Sequence, residues 1–397
     1  MNRPRSQAKA FIALAMGAFG IALTEFVIMG ILPKVAGGLS VSIPEAGHFI
    51  AAYALGVVIG APILAKAGSR FPPHKALIAL MIWFTVFNTL CAYSTSYGAM
   101  LLLRFLSGLP HGAYFGIGAV MATRLSREGK EAQGIARMFA GFTIANVIGV
   151  PLGTYIGNSM HWSASFLLVG LVGALTVSAL FFWMPRIAAE RQKPEVPPPS
   201  LFRNGELWAL LALTAIGAGG FFAWFSYIAP LLIDISGISE IAVSYAMVLA
   251  GVGMVAGNFI GAKMTERLGA IRAIVWGMGG MSALLVLNSY VVDDPALALA
   301  MCFVIGLVTF TMAAPIQMAI IDSAPGSEML AASFNQSAFN IANASGAFFA
   351  GLPMAFGYSV VWAGRVGAAL AAIGAAIALA IRIHQKWRRK MRHSQSN

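Results

Sequence analysis

The chain has 397 residues, of which 59% are hydrophobic and only 10% are charged, whereas soluble proteins carry about 25% charged residues. Its net charge of +12 at pH 7 could indicate nucleic-acid binding, but the basic residues lie beside the ends of apolar stretches, where they set membrane topology. The composition therefore predicts a polytopic membrane protein and argues against a soluble domain and against a nucleic-acid partner.

Twelve apolar stretches follow one another along the chain, and each is near the length of about 20 residues that crosses a bilayer as a helix. Helices are required because lipid offers no partner to backbone amide and carbonyl groups. The predicted spans, numbered in chain order, are Ala10–Leu32, Ala46–Ala65, Ala76–Tyr93, Gly98–Ala122, Gly134–Tyr155, Ser163–Met184, Leu207–Ile233, Ile241–Ala262, Ala273–Val292, Ala296–Ile321, Leu330–Phe356 and Ser359–Ile381.

A break separates the sixth and seventh spans. It contains the run Pro197–Pro199, and consecutive prolines cannot continue a helix. The predicted parts are an N-terminal six-helix bundle (1–184), a cytoplasmic linker (185–206) and a C-terminal six-helix bundle with a basic cytoplasmic tail (207–397).

The two halves resemble each other. A shift of 197 residues (253 minus 56) places Gly56–Gly60 on Gly253–Gly257 and Arg70 on Arg267. Duplicated helical bundles are typical of transporters, whose substrate site lies near the middle of the membrane between the repeats.

The basic residues alternate with the spans. Of the 26 Lys and Arg residues, 22 lie in the N-terminus, the C-terminus and every second loop, and Arg137 lies three residues inside the fifth span beside such a loop. Lys34 lies in an opposite-side loop, and Arg104 and Arg365 lie inside spans. This positive-inside pattern predicts that both termini are cytoplasmic. The tail Arg382–Arg392 is expected to contact anionic lipid at the cytoplasmic face of the bilayer, and Arg365 to extend from its helix end to the membrane surface.

Four spans carry distinctive motifs: Thr24-Glu25-Phe26 with Gly30 and Pro33 in the first, Arg104 with Gly108 and Pro110–Gly116 in the fourth, Gly149-Val150-Pro151-Leu152-Gly153 in the fifth, and Ala223–Tyr227 with Pro230 in the seventh. With these motifs the whole chain resembles the major facilitator superfamily, and within it the twelve-helix drug and sugar efflux antiporters of the arabinose-efflux-permease type. The resemblance implies an all-α fold of two pseudo-symmetric six-helix bundles in a bacterial inner (plasma) membrane. It also implies a monomer without a cofactor.

Two loops resemble divergent copies of the loop motif of that superfamily, G-x-L-a-D-R-x-G-R. After the second span, Arg70 keeps the basic position while Ser69 stands where the family has Asp. After the eighth span, Glu266 and Arg267 keep both charges. The resemblance implies that this motif latches the cytoplasmic face shut in the outward-open state.

The fifth span resembles the antiporter signature, whose usual Gly-Pro is here Gly149-Val150-Pro151. Proline bends the helix, and small residues such as Gly149 and Gly153 let neighbouring helices approach closely. The resemblance implies that this bent helix seals a leak path between the two halves.

Glu25 is the only acidic residue well inside a span, about 10 Å below the predicted outer end of the first helix. Because acids inside the membrane are usually functional, it is predicted to couple transport to protons; a permanently paired structural carboxylate is the alternative. Arg104 lies at a similar depth and is predicted to be its fixed cationic neighbour, unless it only bonds backbone carbonyls. His111 is either a proton relay or a packing histidine beside a kink.

The substrate-binding candidates are aromatic and amide side chains. Trp224 and Tyr227 lie three residues apart, which favours one side of a helix. Gln336, Asn340 and Asn343 form one polar stripe on the eleventh span, which either lines the cavity or bonds to neighbouring helices. The remaining candidates are Tyr53, Tyr114 and Gln317.

Together these features predict a transporter that exports a small neutral or cationic organic molecule, such as a drug, sugar or nucleoside, in exchange for protons by rocker-switch alternating access. A facilitator or a proton-symport importer of a small polar solute on the same fold is the alternative, and a membrane sensor is a more remote one. An enzyme, a metal site and an ATP-driven pump are not expected, because the sequence lacks clustered catalytic or metal-binding motifs and a G-x-x-x-x-G-K-[ST] phosphate loop.

Overall fold

The computed structural model describes residues 3–68, 70–127, 131–186, 203–325 and 327–395. In these ranges the chain forms helices joined by short connections, and no strand occurs. Ten helical stretches are long and apolar enough to cross a membrane. Two more helices, Tyr97–Leu125 and Glu328–Ala355, have 29 and 28 residues, which is also long enough. These correspond to the twelve predicted spans and confirm the all-α polytopic fold.

In the first half the helices are Arg3–Gly30, the short helix Leu32–Leu39, Ile43–Gly68, Pro73–Cys91, Tyr97–Leu125, Glu131–Ile144 followed by a π-turn at Ala145–Gly149 and Val150–Ser159, and Ser163–Trp183. In the second half they are Gly205–Gly217, Gly219–Phe225, Ile228–Pro230 with a π-turn at Leu231–Ile235, Val243–Leu268, Ala270–Val291, Pro295–Phe310, Ala313–Asp322, Glu328–Ala355 and Val361–Gln395.

The seventh and tenth spans are interrupted, although the hydropathy pattern predicts each as one continuous helix. The seventh opens at Ser226 and Tyr227, and the tenth at Thr311 and Met312. Each opening lies about four residues before a proline, Pro230 or Pro315. A proline ring clashes with the carbonyl four residues earlier and donates no hydrogen bond to it, so the helix breaks there.

Two compact units result from the contacts within the chain. Unit 1 comprises Met1–Glu195 and Tyr227–Val248, and unit 2 comprises Val196–Ser226 and Leu249–Asn397. The segment Tyr227–Val248, which comprises the end of the seventh span and the start of the eighth, therefore packs with unit 1. The division at 184 and 207 stays a prediction, and residues 187–202 of the predicted linker lie outside the described part of the chain.

The repeated glycines bring two helices together in each unit. In unit 1 a Cβ atom on Gly56 would overlap the carbonyl oxygen of Phe105, so the second and fourth spans touch backbone to backbone. In unit 2 a Cβ atom on Gly253 would overlap the carbonyl oxygen of Phe303 in the same way. The glycine motif that repeats in the sequence therefore makes an equivalent contact in both units.

Candidate functional site

A buried polar cluster surrounds Arg104 in unit 1. The side chain of Arg104 is fully buried. Its Nη1 donates to Thr24 Oγ1 at 3.0 Å and its Nη2 to the carbonyl oxygen of Thr24 at 3.3 Å. Its Nε donates to the carbonyl oxygen of Phe49 at 3.4 Å. One guanidinium on the fourth span thus holds both the first and the second span.

Two aromatic rings complete the surroundings of this guanidinium. Its central carbon lies 4.4 Å from the ring centroid of Tyr53 and 5.8 Å from that of Phe166. A cation over an aromatic face is stabilised by the ring quadrupole, most strongly where water is excluded. Tyr53, predicted as a substrate-binding residue, lies directly against the buried cation, and its substrate-binding role stays a prediction.

Asn88 extends the cluster to the third span, and sequence reasoning missed it. The hydroxyl of Thr24 donates to Asn88 Oδ1, and Asn88 Nδ2 donates to the carbonyl oxygen of Phe84 at 2.8 Å. The asparagine is fully buried. A lone amide inside an apolar helix was the available signal, since buried polar groups need partners.

Glu25 directly follows Thr24 and is only 6% exposed. It interacts electrostatically with Arg104 and Tyr53. The structure therefore brings the two predicted charged residues, Glu25 and Arg104, into one buried cluster. Arg104 was predicted either to neighbour Glu25 or only to bond backbone carbonyls. The observed geometry combines the two, because Arg104 neighbours the acid and also bonds backbone carbonyls.

His111 joins the same cluster through Tyr53. Its Nδ1 lies 3.1 Å from the hydroxyl of Tyr53, and its ring packs 5.3 Å from that of Phe115. The imidazole is fully buried, and its Nε2 has no hydrogen-bond partner among the described residues. Tyr114, by contrast, donates to the carbonyl oxygen of Leu14 at 3.0 Å and so faces the first span.

The fifth span packs on the helix that carries Glu25. Cβ atoms on Gly149 and Gly153 would meet the side chains of Phe19 and Val27, both on the first span. The π-turn Ala145–Gly149 immediately precedes the segment with Pro151, as expected where a proline disturbs a helix. Gly149, Pro151 and Gly153 therefore shape the contact between the fifth and first spans; their sealing role stays a prediction.

A set of polar contacts just beyond the C-terminal end of the first span joins it to the segment between the seventh and eighth spans. Lys34 Nζ lies 2.6 Å from Glu240 Oε2. Asn158 Nδ2 donates to the carbonyl oxygens of Glu240 at 2.8 Å and Gly30 at 3.2 Å. The sequence pattern gave no indication of this contact.

Trp224 and Tyr227 do not lie on one uninterrupted helix, because the break at Ser226 and Tyr227 separates them. Trp224 is buried in unit 2, with its Cδ1 3.9 Å from where a Cβ atom on Gly364 would lie. Tyr227 is buried in unit 1, with its hydroxyl against Gly47 of the second span.

The polar stripe of the eleventh span is buried in unit 2. Asn340 and Asn343 are only 2% and 1% exposed. Asn340 Nδ2 donates to the carbonyl oxygen of Gln336 at 2.9 Å. Gln317, on the tenth span, accepts a hydrogen bond at 2.6 Å from Asn335, a residue that sequence reasoning did not select.

The charged loop residues are exposed. Arg70, Glu266 and Arg267 are open to solvent, and Ser69 lies outside the described residues. Gly269, with φ of 81°, follows the Val243–Leu268 helix in a left-handed conformation that favours glycine. The latch role of the three charges stays a prediction. Arg365 packs its guanidinium 4.9 Å from the ring centroid of Trp362.

The chain is similar to known membrane transporters over most of its length. The family described as Major Facilitator Superfamily matches residues 14–351. The putative transporter AraJ of Escherichia coli (strain K12) is 37% identical over 350 residues, which is 88% of this chain and 89% of that protein. The inner membrane transport protein YdhP of the same strain is 38% identical over 359 residues, covering 88% and 90%.

A more distant relative is the chloramphenicol resistance protein of Streptomyces lividans, 26% identical over 340 residues, which is 84% of this chain and 86% of that protein. The fold also matches a solved structure of a bacterial homolog of the human lysosomal transporter Spinster, in an inward-facing and unoccupied conformation. That likeness has a TM-score of 0.76 and 17% identity, covering 96% of this chain and 98% of the other.

Proposed function

The chain belongs to the major facilitator superfamily of membrane transporters, and from that premise we propose that it exports a small neutral or cationic organic molecule in exchange for protons. The name of one relative, a chloramphenicol resistance protein, supports export, and the name of another, the putative transporter AraJ, supports transport. We further propose a monomer in a bacterial inner membrane with both termini in the cytoplasm, in contact with anionic lipid at the cytoplasmic face.

The observation that carries this proposal is the burial of Glu25 beside Thr24, whose two oxygens accept hydrogen bonds from Arg104. A charged carboxylate within a membrane costs at least about 2.5 kcal/mol. Arg104 cannot lose its proton, so it offsets the negative charge of Glu25 when the acid is ionised. When Glu25 takes up a proton, the positive charge of Arg104 is no longer compensated.

This change of net charge provides a coupling mechanism. A ligand shifts a conformational equilibrium only by its different affinity for the two states. Protonation of Glu25 would alter the hold of Arg104 on the first and second spans, and so favour one state over the other. The membrane potential adds to the driving force, because one charge that moves inward across 100 mV gains about 2.3 kcal/mol.

The other predicted residues have places in this scheme. His111 would pass protons through the hydroxyl of Tyr53, 3.1 Å from its Nδ1. The charges of Arg70, Glu266 and Arg267 would hold the cytoplasmic side closed in one state. Substrate contacts would come from Tyr53, Tyr114, Trp224, Tyr227, Gln317, Gln336, Asn340 and Asn343.

The test is transport by the purified chain in proteoliposomes with an imposed pH gradient. Antiport predicts that substrate accumulates on the acidic side of the membrane. It also predicts that a protonophore abolishes accumulation while exchange of labelled for unlabelled substrate continues. Accumulation on the alkaline side would identify a symport importer, and equilibration without accumulation a facilitator; either result would overturn the proposal.

A further inference from the structure

A polar cavity lies at one end of unit 1, where the helices Arg3–Gly30, Tyr97–Leu125 and Glu131–Ile144 meet. Its volume is about 260 Å³, and it is lined mainly by polar side chains, those of Gln7, Ser126, Arg127, Gln133 and Arg137. Both arginines are exposed, so a molecule outside the bundle can reach the cavity. None of these residues belongs to the proposed proton and substrate sites.

One of the two guanidinium groups is held in place by an aromatic ring. The central carbon of the Arg137 guanidinium lies 5.3 Å from the ring centroid of Phe11, which is only 6% exposed. A cation is attracted to the face of such a ring, but the ring does not neutralise its charge. The N–H groups of Arg137 therefore stay available for an anion while the side chain is already oriented.

Backbone carbonyls at the end of the fourth span do not occupy the two arginines, because other groups bond them. Gln7 Nε2 donates to the carbonyl oxygen of Leu125 at 3.1 Å, and Ser126 Oγ donates to that of Ala122 at 2.8 Å. No carboxylate in the part of the chain that the structure describes forms an ion pair with either arginine. Within that part of the chain, two cations thus share one cavity without a counter-ion.

The sequence around the cavity is basic as well. From Arg124 to Arg137 it carries four basic and two acidic residues, a net charge of +2 (4 minus 2), and Lys9 adds an exposed positive charge from the first helix. A guanidinium group presents a planar fork of N–H donors, which matches two oxygens of a phosphate group and forms short, charge-assisted hydrogen bonds. The amide of Gln133 is a neutral donor at the same cavity. These groups fit a phosphate.

The depth of the cavity indicates where such a phosphate comes from. Gln7 lies three residues before the predicted first span, so about 4.5 Å outside the hydrocarbon core. The headgroup layer on each side of a bilayer is about 5–7 Å thick. Arg137 lies three residues inside the predicted fifth span. The cavity therefore lies at the level of the phosphate groups of the lipids.

We propose that Arg127 and Arg137 bind a phosphate group in this cavity, and that an anionic phospholipid of the cytoplasmic leaflet supplies it. This lipid site is separate from the basic tail Arg382–Arg392, for which only a general attraction to anionic lipid is expected. It goes beyond the proposed transport function, and it does not involve Glu25.

The test measures lipid binding to the purified full-length chain by native mass spectrometry, with phosphatidylglycerol and phosphatidylcholine titrated separately. Both lipids carry a phosphate, but the choline cation of the second offsets its charge. We expect the parent to bind phosphatidylglycerol more tightly. The double substitution Arg127→Gln with Arg137→Gln should weaken that binding about 10-fold or more, because it removes the charge-assisted hydrogen bonds.

Two further double variants separate the cavity from general attraction. Lys75→Gln with Arg272→Gln removes the same two charges from exposed positions elsewhere on the predicted cytoplasmic side, and it should bind phosphatidylglycerol as the parent does. Arg127→Lys with Arg137→Lys keeps both charges but loses the planar fork, and it should weaken the binding about 3-fold or more. Melting temperatures without added lipid show whether each variant is folded.

Equal binding of phosphatidylglycerol by the parent and the Gln double variant would overturn the proposal. Equal binding by the parent and the Lys double variant would also overturn it, because charge alone would then suffice. Inorganic phosphate tests the source of the group: added alone, it should leave the melting temperature of the parent unchanged, whereas phosphatidylglycerol should raise it. A rise with inorganic phosphate that the Gln double variant lacks would overturn the lipid as the source. Each of these failures would leave proton-coupled export intact.

Discussion

Arg104 donates hydrogen bonds to both oxygens of Thr24, from Nη1 to the hydroxyl at 3.0 Å and from Nη2 to the backbone carbonyl at 3.3 Å. The fourth span thus holds the first through a cation that stays charged at all relevant pH values. Because the next residue is Glu25, any shift of Arg104 acts directly on the backbone beside the proposed proton site. Asn88 binds the same hydroxyl and adds the third span to this contact.

Thr24→Val keeps the shape of the side chain but removes the acceptor for Arg104 Nη1. The buried guanidinium then loses a hydrogen bond, at a cost of about 1–3 kcal/mol. We expect a lower melting temperature and slower substrate exchange, whereas Thr24→Ser should stay close to the parent. Equal melting temperatures and exchange rates for Val and Ser would show that the hydroxyl does not hold Arg104.

Tyr53→Phe keeps the ring beneath Arg104 and removes the hydroxyl beside His111. Loss of one hydrogen bond, at about 0.5–1.5 kcal/mol, corresponds to a roughly 2–10-fold slower gradient-driven transport. His111→Gln should slow it by a similar factor, and the double variant no further, since residues that act as one unit are not additive. Gradient-driven transport is measured as a function of pH. A double variant slowed by the product of the two single factors would show that Tyr53 and His111 do not act as one unit.

Asn158→Leu should destabilise the protein more than Lys34→Ala. Asn158 is 8% exposed and satisfies two carbonyl groups, and each buried group left unpaired costs about 1–3 kcal/mol. The side chains of Lys34 and Glu240 are 37% and 43% exposed, and exposed ion pairs contribute about 0–1 kcal/mol because solvent screens them. The melting temperatures of the two variants in detergent measure which is less stable. A larger drop in melting temperature for Lys34→Ala would show that the ion pair, and not Asn158, is the stronger contact.

Gly108→Ala should prevent close packing of the second and fourth spans. A Cβ atom there would overlap the carbonyl oxygen of Tyr53, and backbone atoms cannot move aside as a flexible side chain can. Gly116→Ala is the matched control on the same helix, since no atom lies within 4 Å of its Cβ position. We expect aggregation or a strongly lowered melting temperature for Gly108→Ala only. Size-exclusion chromatography measures the aggregation, and thermal denaturation in detergent measures the melting temperature.

Hydropathy was sufficient to predict the spans, and depth along the helices was sufficient to place Glu25 near Arg104. The same information did not predict the breaks at Ser226 and Thr311, because the apolar pattern continues across them. Pro230 and Pro315, about four residues later, were the available signals. Proline acts on a carbonyl one turn away, so the disturbance appears before the residue that causes it.

The polar partners were harder to predict. Lys34 and Glu240, and likewise Asn335 and Gln317, meet only because the helices fold together, and periodicity within one helix does not encode such pairs. Asn88 occupies an apolar span and gains its importance from Thr24 on another helix. Sequence reasoning identified residues whose type is unusual for their position, but not the partners that define their roles.

The proposed role of Glu25 as the proton site is tested by comparing transport by Glu25→Gln with that by the parent in proteoliposomes. Glutamine keeps the size of the side chain and removes the proton-binding group. Proton coupling at Glu25 predicts that the variant exchanges labelled for unlabelled substrate but no longer accumulates it in response to a pH gradient. Accumulation by Glu25→Gln equal to that of the parent would contradict the assignment of Glu25 as the proton site.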